Sequence, residues 1–379
     1  MSSTPADHPP TSVDQPPTAA EQSALETPPT RAGEGIRFAA VGLDHSHIYG
    51  QISGLCAQGC QLVGIASDDG DASVATEVRS RWPEVPWFDD PAKLLEDDQI
   101  DLIVTAAVPD RRASVAVAAT RNGKDVVADK PGCVSFEELE QVKNAVADTG
   151  RFWSVTFSGR FEVRCVARAG ELVRAGRIGQ VVQTLGLGPH REGDPAHLAG
   201  GAGRPDWFYD HDRFGGIITD IASHQIDQFL WFTGATTGEV VASTVANYAH
   251  PDNPKMQDFG EVLLRSESAQ GYIRVDWYTP RGLPTWGDGR LIVLGTEGYL
   301  EMRMYVDLEG RPGGDHLFLV DQEGTHYIDC SDVPLTYYAD LVRDVRERTE
   351  TACPQAHTFE VMRLALEAQQ RAARRGAAR

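Results

Sequence analysis

"IRFAAVGLDHSHIYG", residues 36–50, decides the fold. An apolar run from Ile36 to Val41 ends at Gly42 and passes through a short turn into a helix start. That order, strand, tight turn, helix, opens a nucleotide-binding βαβ unit. A dinucleotide loop reads G-x-G-x-x-G, with glycines for the turn, for close approach of the pyrophosphate and for helix packing. Only Gly42 is kept here; Asp44 and His47 stand in the second and third glycine places. The free N–H groups of a helix start favour a phosphate, but a carboxylate facing it would repel it. Asp44 is therefore expected to turn inward as the helix N-cap, accepting from the N–H of Ser46 or His47. His47 is expected to push the helix outward or lie along the cofactor. His45 and His47 also suggest a metal, but they lie at a turn with no Cys or third His close in sequence, and no metal is expected.

Working outward, "CQLVGIAS", "IDLIVTAAV" and "DVVADK" read as strands and "GDASVATEVRSRW", "DDPAKLLED" and "RRASVAVAATRNG" as helices. This alternation implies a parallel sheet covered on both faces. Asp68 follows the second strand, where an acid bonds the ribose hydroxyls of NAD. A 2′-phosphate would meet Asp68 and Asp69 with no Lys or Arg before Arg79, so NAD is expected, with NADP the alternative. After Gly150 a strand and the helix "EVRCVARAGELVRAGRIG" lead into a β-rich series, "QVVQTLGLG", "GEVVASTVANY", "FGEVLLRS", "GYIRVDWYT", "RLIVLG", "GYLEMRMY", "HLFLV" and "THYIDC". That series predicts an open, mainly antiparallel sheet. The expected organisation is a tail over 1–35, a Rossmann domain over 36–152 and an α+β domain over 153–379 whose terminal helices pack back on the first.

The chain has 379 residues, enough for two domains. Residues 1–35 are rich in Pro, Ser, Thr and acid and carry too little apolar surface to fold. With 35 Lys and Arg against 55 Asp and Glu, the net charge of −20 offers no basic stripe, so nucleic acid is not an expected partner. No run approaches the ~18 apolar residues of a membrane span. Six cysteines without a CxxC pattern, and no signal-like start, point to a reduced, cytoplasmic setting.

"VVADKPGCVSFEELEQV", residues 126–142, resembles the Glu-Lys-Pro segment of the glucose-fructose oxidoreductase, inositol dehydrogenase and rhizopine-catabolism family, with Asp129 for the Glu and Lys130 and Pro131 kept. "GGIITDIASHQIDQFLWFTG", residues 215–234, resembles its double-glycine, Asp-x-Gly-x-His and following Asp pattern, through Asp220, His224 and Asp227, with Ala222 for the inner glycine. "VLGTEGYLEM" and "YYADLVRDVRER" resemble its late strand-turn-strand and closing helix, while Arg111-Arg112-Ala113 lacks the His often found after Pro109. The resemblance implies a homodimer or homotetramer formed through the second sheet. It also implies cofactor contacts from Gly42, Asp44, His45, Ser46, His47, Asp68, Pro109, Asp129 and Lys130.

The segment 217–232 reads as a largely buried helix with Asp220, His224 and Asp227 on one face. An acid and an imidazole at i and i+4 make a base with its orienter. The expected catalytic set is Lys130, His224 and Asp220, with Arg160, Trp207, Tyr209 and His211 added for substrate binding. Trp207, Tyr209 and His211 lie in the loop 188–214, where His190, His197 and His211 are also alternative metal ligands. The reading is an NAD-dependent oxidoreductase acting on a secondary alcohol of a sugar, cyclitol or related polyol. Its rivals are a hydrolase or lyase using transient oxidation, and a sugar-binding homologue without cofactor.

Overall fold

The computed structural model describes residues 33–67, 72–192 and 204–375. Residues 1–32 of the expected tail, Asp68 and His197 lie outside the described residues. Six strands form the first sheet in the order β3-β2-β1-β4-β5-β6. They are β1 (Arg37–Leu43), β2 (Gln61–Ala66), β3 (Trp87–Phe88), β4 (Leu102–Ala106), β5 (Asp125–Asp129) and β6 (Trp153–Thr156). All pairings are parallel. β4 and β5 are buried at every position, as strands covered by helices on both faces must be. β6 carries the sheet to Thr156, past the expected domain boundary at 152. The chain order reverses between β1 and β4, which opens a crevice beyond their carboxyl ends.

Nine strands form the second sheet, in the order β14-β13-β12-β11-β7-β10-β9-β8-β15. They are β7 (Val181–Pro189), β8 (Glu239–Ala246), β9 (Phe259–Arg265), β10 (Gln270–Asp276), β11 (Arg290–Gly295), β12 (Tyr299–Arg303), β13 (His316–Asp321), β14 (Gly324–Ile328) and β15 (Ala373–Arg375). The sheet is antiparallel except for β7 with β10 and β8 with β15. The helix Gln355–Arg371 ties the domains together. Its Phe359 stacks on Trp153 of β6 at 5.9 Å, its Gln355 side chain bonds both backbone groups of Trp153, and its Ala368 carbonyl accepts from Ser243 of β8. One hydrophobic core consequently runs from the parallel sheet through this helix to β8, β9 and β10.

Two local features set up the site. The helix Phe136–Thr149 is capped by Ser135, whose hydroxyl accepts from Glu138 N–H while the Glu138 carboxylate reaches back to Val134 N–H. That fixes the chain just after β5. At the end of β1, Gly42 has φ +80, and a Cβ there would lie 2.5 Å from the Ala107 Cβ, so the first loop glycine is demanded by the packing of β1 against β4. Gly42→Ala should cost about 2 kcal/mol or more through strain and overlap. Denaturant unfolding checks this, and an unchanged midpoint would contradict it.

Candidate active site

Arg112 is the centre of the arrangement. It sits on the buried stripe of the helix Pro109–Arg121, among Pro109, Ala113 and Ala116, and is itself only 1% exposed. Its Nε donates to the Ala107 carbonyl at 2.7 Å, Nη1 to the carbonyls of Lys130 and Pro131, and Nη2 lies 3.0 Å from Asp129 Oδ2. One planar guanidinium thus binds the ends of β4 and β5 together. Asp129 Oδ1 accepts from Lys130 N–H at 2.8 Å and lies 2.9 Å from His47 Nδ1. Burial alone would raise the Asp129 carboxyl, but Arg112 and the imidazoles of His47 and His45 outweigh it and hold it well below the usual carboxylate range.

With its backbone fixed in this way, Lys130 points into a cavity of about 400 Å³ between the two domains. His47, Asp129, Lys130, His190, His224 and Gln225 line its polar end. Lys130 Nζ donates to Asp220 Oδ1 at 2.8 Å, and both side chains are buried. This corrects the expected pairing. Asp220 lies in a π-helical turn, Ile218–Ala222, ahead of the helix Ser223–Thr233, and it serves Lys130 instead of orienting His224. Among the described residues its buried Oδ2 has no hydrogen-bond partner, and neither has His224 Nδ1. Burial, reinforced by Lys130 and His47, pushes the His224 imidazole down to about 3.

Asp227 belongs to a separate cluster. It takes both Arg160 Nε and Nη2 at 2.7 Å and His357 Nε2 at 2.8 Å. Arg160, expected at the substrate, is therefore committed to a buried ion pair, stacks on Phe161 at 4.3 Å and does not line the cavity. Tyr209 donates to Glu192, and His211 lies 3.0 Å from Asp212; neither lines the cavity. Trp207 packs on Phe208 and faces the crevice instead.

The crevice at the β1/β4 switch point is a second cavity of about 600 Å³, lined by Gly42, Asp44, Val108, Arg111, Trp207 and Arg213 among others. Asp44 does not cap the helix as expected. Its Oδ2 accepts from Val108 N–H at 3.0 Å, fastening β1 to the turn after β4, just ahead of Pro109. His47 occupies the N-cap position without a side-chain cap bond, and its N–H donates to His45 Nδ1 at 3.2 Å. No acceptor among the described residues takes the N–H of His45 or of Ser46. Those two donors lie at the turn beside the crevice, whose lining carries Arg111 and an Arg213 paired with Asp110, and they fit a dinucleotide pyrophosphate. The fit survives the two missing glycines because the Asp44 carboxylate is already engaged.

Sequence reasoning gave no role to Arg112 or Gln225 and offered His190 only as an alternative metal ligand. Arg112 carried a signal: a lone cation on an otherwise apolar helix stripe has to find a buried anion. His190 is held by the Gly188 carbonyl and lies between Trp277 and Trp286.

Comparison with known proteins fixes the family. Residues 36–157 match the model of its NAD-binding Rossmann fold, and residues 166–301 match its C-terminal domain. The chain belongs to the Gfo/Idh/MocA oxidoreductase family. A relative from Bacillus subtilis (strain 168), scyllo-inositol 2-dehydrogenase (NAD(+)), is 26% identical over 68% of this chain and 72% of its own. A protein described only as an oxidoreductase, from Erwinia carotovora atroseptica SCRI1043, is 44% identical over 89% of this chain and 99% of its own, with a TM-score of 0.85. Levoglucosan dehydrogenase, solved with NADH and levoglucosan, shares the fold at a TM-score of 0.70 and 18% identity, over 88% of this chain and 97% of its own. No helix among the described residues is long and apolar enough to cross a membrane.

His45, His190 and His224 are all held neutral, first by burial, and all lie below the ordinary value of 6.5. Each takes up a proton on unfolding at acid pH, so its contribution is complete above about pH 6.5 and is lost as pH falls towards the folded value. His224→Asn should flatten the decline of stability between pH 6 and 4 by about 1.4 kcal/mol per pH unit. Parallel stability profiles for the two proteins would contradict this.

Proposed function

We propose that the protein is a nicotinamide-dependent oxidoreductase acting on the secondary alcohol of a sugar, cyclitol or related polyol. The observation that carries this reading is the convergence of Lys130 and His224 on one buried cavity beside the switch-point crevice. The family, the inositol dehydrogenase relatives and the levoglucosan dehydrogenase fold support it. NAD is the favoured cofactor and NADP the alternative. When bound, the nicotinamide supplies the hydride chemistry at the substrate carbon.

The chain's own residues handle the oxygen and its proton. His224, neutral in the cavity, is in the protonation state that accepts a hydroxyl proton. Lys130, positioned by Asp220, donates a hydrogen bond to the substrate oxygen and stabilises negative charge developing there. Asp220, expected at the substrate hydroxyls, does not line the cavity and acts through Lys130. Neither Lys130 nor His224 lines the crevice, so both act on the reacting carbon's substituents and not on cofactor affinity.

Lys130→Ala and His224→Ala should each lower kcat by at least ~10² while leaving the NAD dissociation constant within a few-fold. Calorimetric titration with NAD, paired with absorbance at the NADH band across a polyol panel, checks both halves. Near-normal turnover in both variants would overturn the mechanism. Polyol consumption without net NADH would move the assignment to a hydrolase or lyase using transient oxidation.

A further inference from the structure

The turn that stands in place of a glycine loop brings together three side chains, His45, His47 and Asp129, to which the proton and hydride chemistry above gives no task. His45 and His47 flank Ser46 with rings edge to face, centroids 4.0 Å apart. Asp129, 82 residues later than His47, ends β5 directly against them. His47 Nδ1 lies 2.9 Å from Asp129 Oδ1, and His45 Nδ1 lies 3.7 Å from Oδ2. Donors bound tetrahedrally to one ion at about 2.0–2.1 Å stand about 3.3 Å from one another. Those two separations run to different carboxylate oxygens; with one donor atom from each residue, all three lie within 4.8 Å of one another, so the donors draw in by up to about 1.5 Å to meet one ion.

We propose that His45, His47 and Asp129 form a binding site for one divalent transition-metal ion of the zinc type, with its open coordination position facing the substrate cavity. The proposal rests on these three side chains and not on the oxidoreductase reading. Two imidazoles and a carboxylate are the donor set of a three-ligand zinc site that keeps a fourth position for water or substrate oxygen. His47 and Asp129 line the same cavity as Lys130 and His224, so the fourth position opens onto the reacting groups.

Proton accounting is simple. His45 Nδ1 carries its lone pair but spends it on the His47 N–H at 3.2 Å, so that hydrogen bond is given up when the ion binds, or the ring turns to present Nε2. Where His47 Nδ1–H donates to Asp129, that proton must leave Nδ1, either for Nε2 or for solvent, before the ion binds in its place. Arg112 on Asp129 Oδ2 does not exclude the ion, because a carboxylate offers about four acceptor sites. It then orients the ligand, as outer partners of metal carboxylates do. The ammonium of Lys130 is balanced by Asp220 at 2.8 Å, which reduces its repulsion of a cation.

The test is titration of the full-length, metal-stripped protein with Co²⁺ alone, followed by displacement with Zn²⁺. One equivalent should give the intense visible bands of a four-coordinate cobalt site. His45→Ala, His47→Ala and Asp129→Asn should each weaken binding by roughly 10²-fold or more, with circular dichroism reporting that the variants stay folded. Asp129→Asn removes a buried charge opposite Arg112, so the two His variants carry the test if it does not fold. Among the described residues the competing cluster is Asp321, Glu323 and His326, and His326→Ala should leave cobalt binding unchanged. Absence of the visible bands, unchanged affinity in both His variants, or loss of binding in His326→Ala would overturn the proposal. NAD titration of the same samples reports on the oxidoreductase reading separately.

Discussion

The arrangement depends on one buried ion pair, Arg112 with Asp129, 3.0 Å apart and each 1% exposed. Burying two charges is expensive, and the hydrogen bonds that both groups make to their surroundings offset part of that cost. The guanidinium finds carbonyls at Ala107, Lys130 and Pro131, and the carboxylate finds Lys130 N–H and His47. The pair does not stabilise the fold more than apolar residues would. What it provides is position: two strand ends held in register and a lysine whose backbone is clamped from both sides. Removing either partner alone leaves an uncompensated buried charge, typically a loss of about 3–5 kcal/mol.

The phosphate turn follows the same logic. In a glycine-rich loop the backbone approaches the pyrophosphate because there is no side chain in the way. Here side chains are present and each has been given a task. Asp44 closes the gap between β1 and the start of the next helix by taking Val108 N–H. His47 reaches across to Asp129. Burial raises the Asp44 carboxyl, while Val108 N–H and the arginines at 112, 111 and 213 pull the other way, which tempers its charge towards a phosphate. The turn keeps its open donors at His45 and Ser46 and gains a coupling to β5 that a glycine loop does not have.

Much of this was legible in the sequence wherever the signal was local. The buried strands β1, β4 and β5 announce themselves as unbroken apolar runs, and the β-rich series after residue 180 maps onto β7 to β14 nearly strand for strand. The two-residue β3 is too short to leave a pattern, and β6 reads as the start of the second domain because nothing local says which sheet a strand joins. In the site, motif and helical spacing singled out Lys130, His224 and Asp220, but not the pairing of Lys130 with Asp220. Lys130 meets Asp220 across 90 residues, Asp44 meets Val108 across 64 and Arg160 meets Asp227 across 67. The π-helical turn before His224 breaks the i, i+4 geometry from which an Asp220–His224 pair was inferred. Long-range partners are decided by packing, and a single chain read from end to end does not carry them.

The central claim is that the cavity holding Lys130 and His224 meets a dinucleotide bound in the β1/β4 crevice, so that hydride passes from a substrate carbon to the cofactor. Its most direct test is to supply the best-utilised polyol with deuterium on every carbinol carbon, together with unlabelled NAD, and to weigh the nicotinamide product. The account predicts one deuterium transferred to the reduced cofactor per substrate oxidised. Oxidation of the polyol with no reduced cofactor formed, or with reduced cofactor free of label, would contradict it.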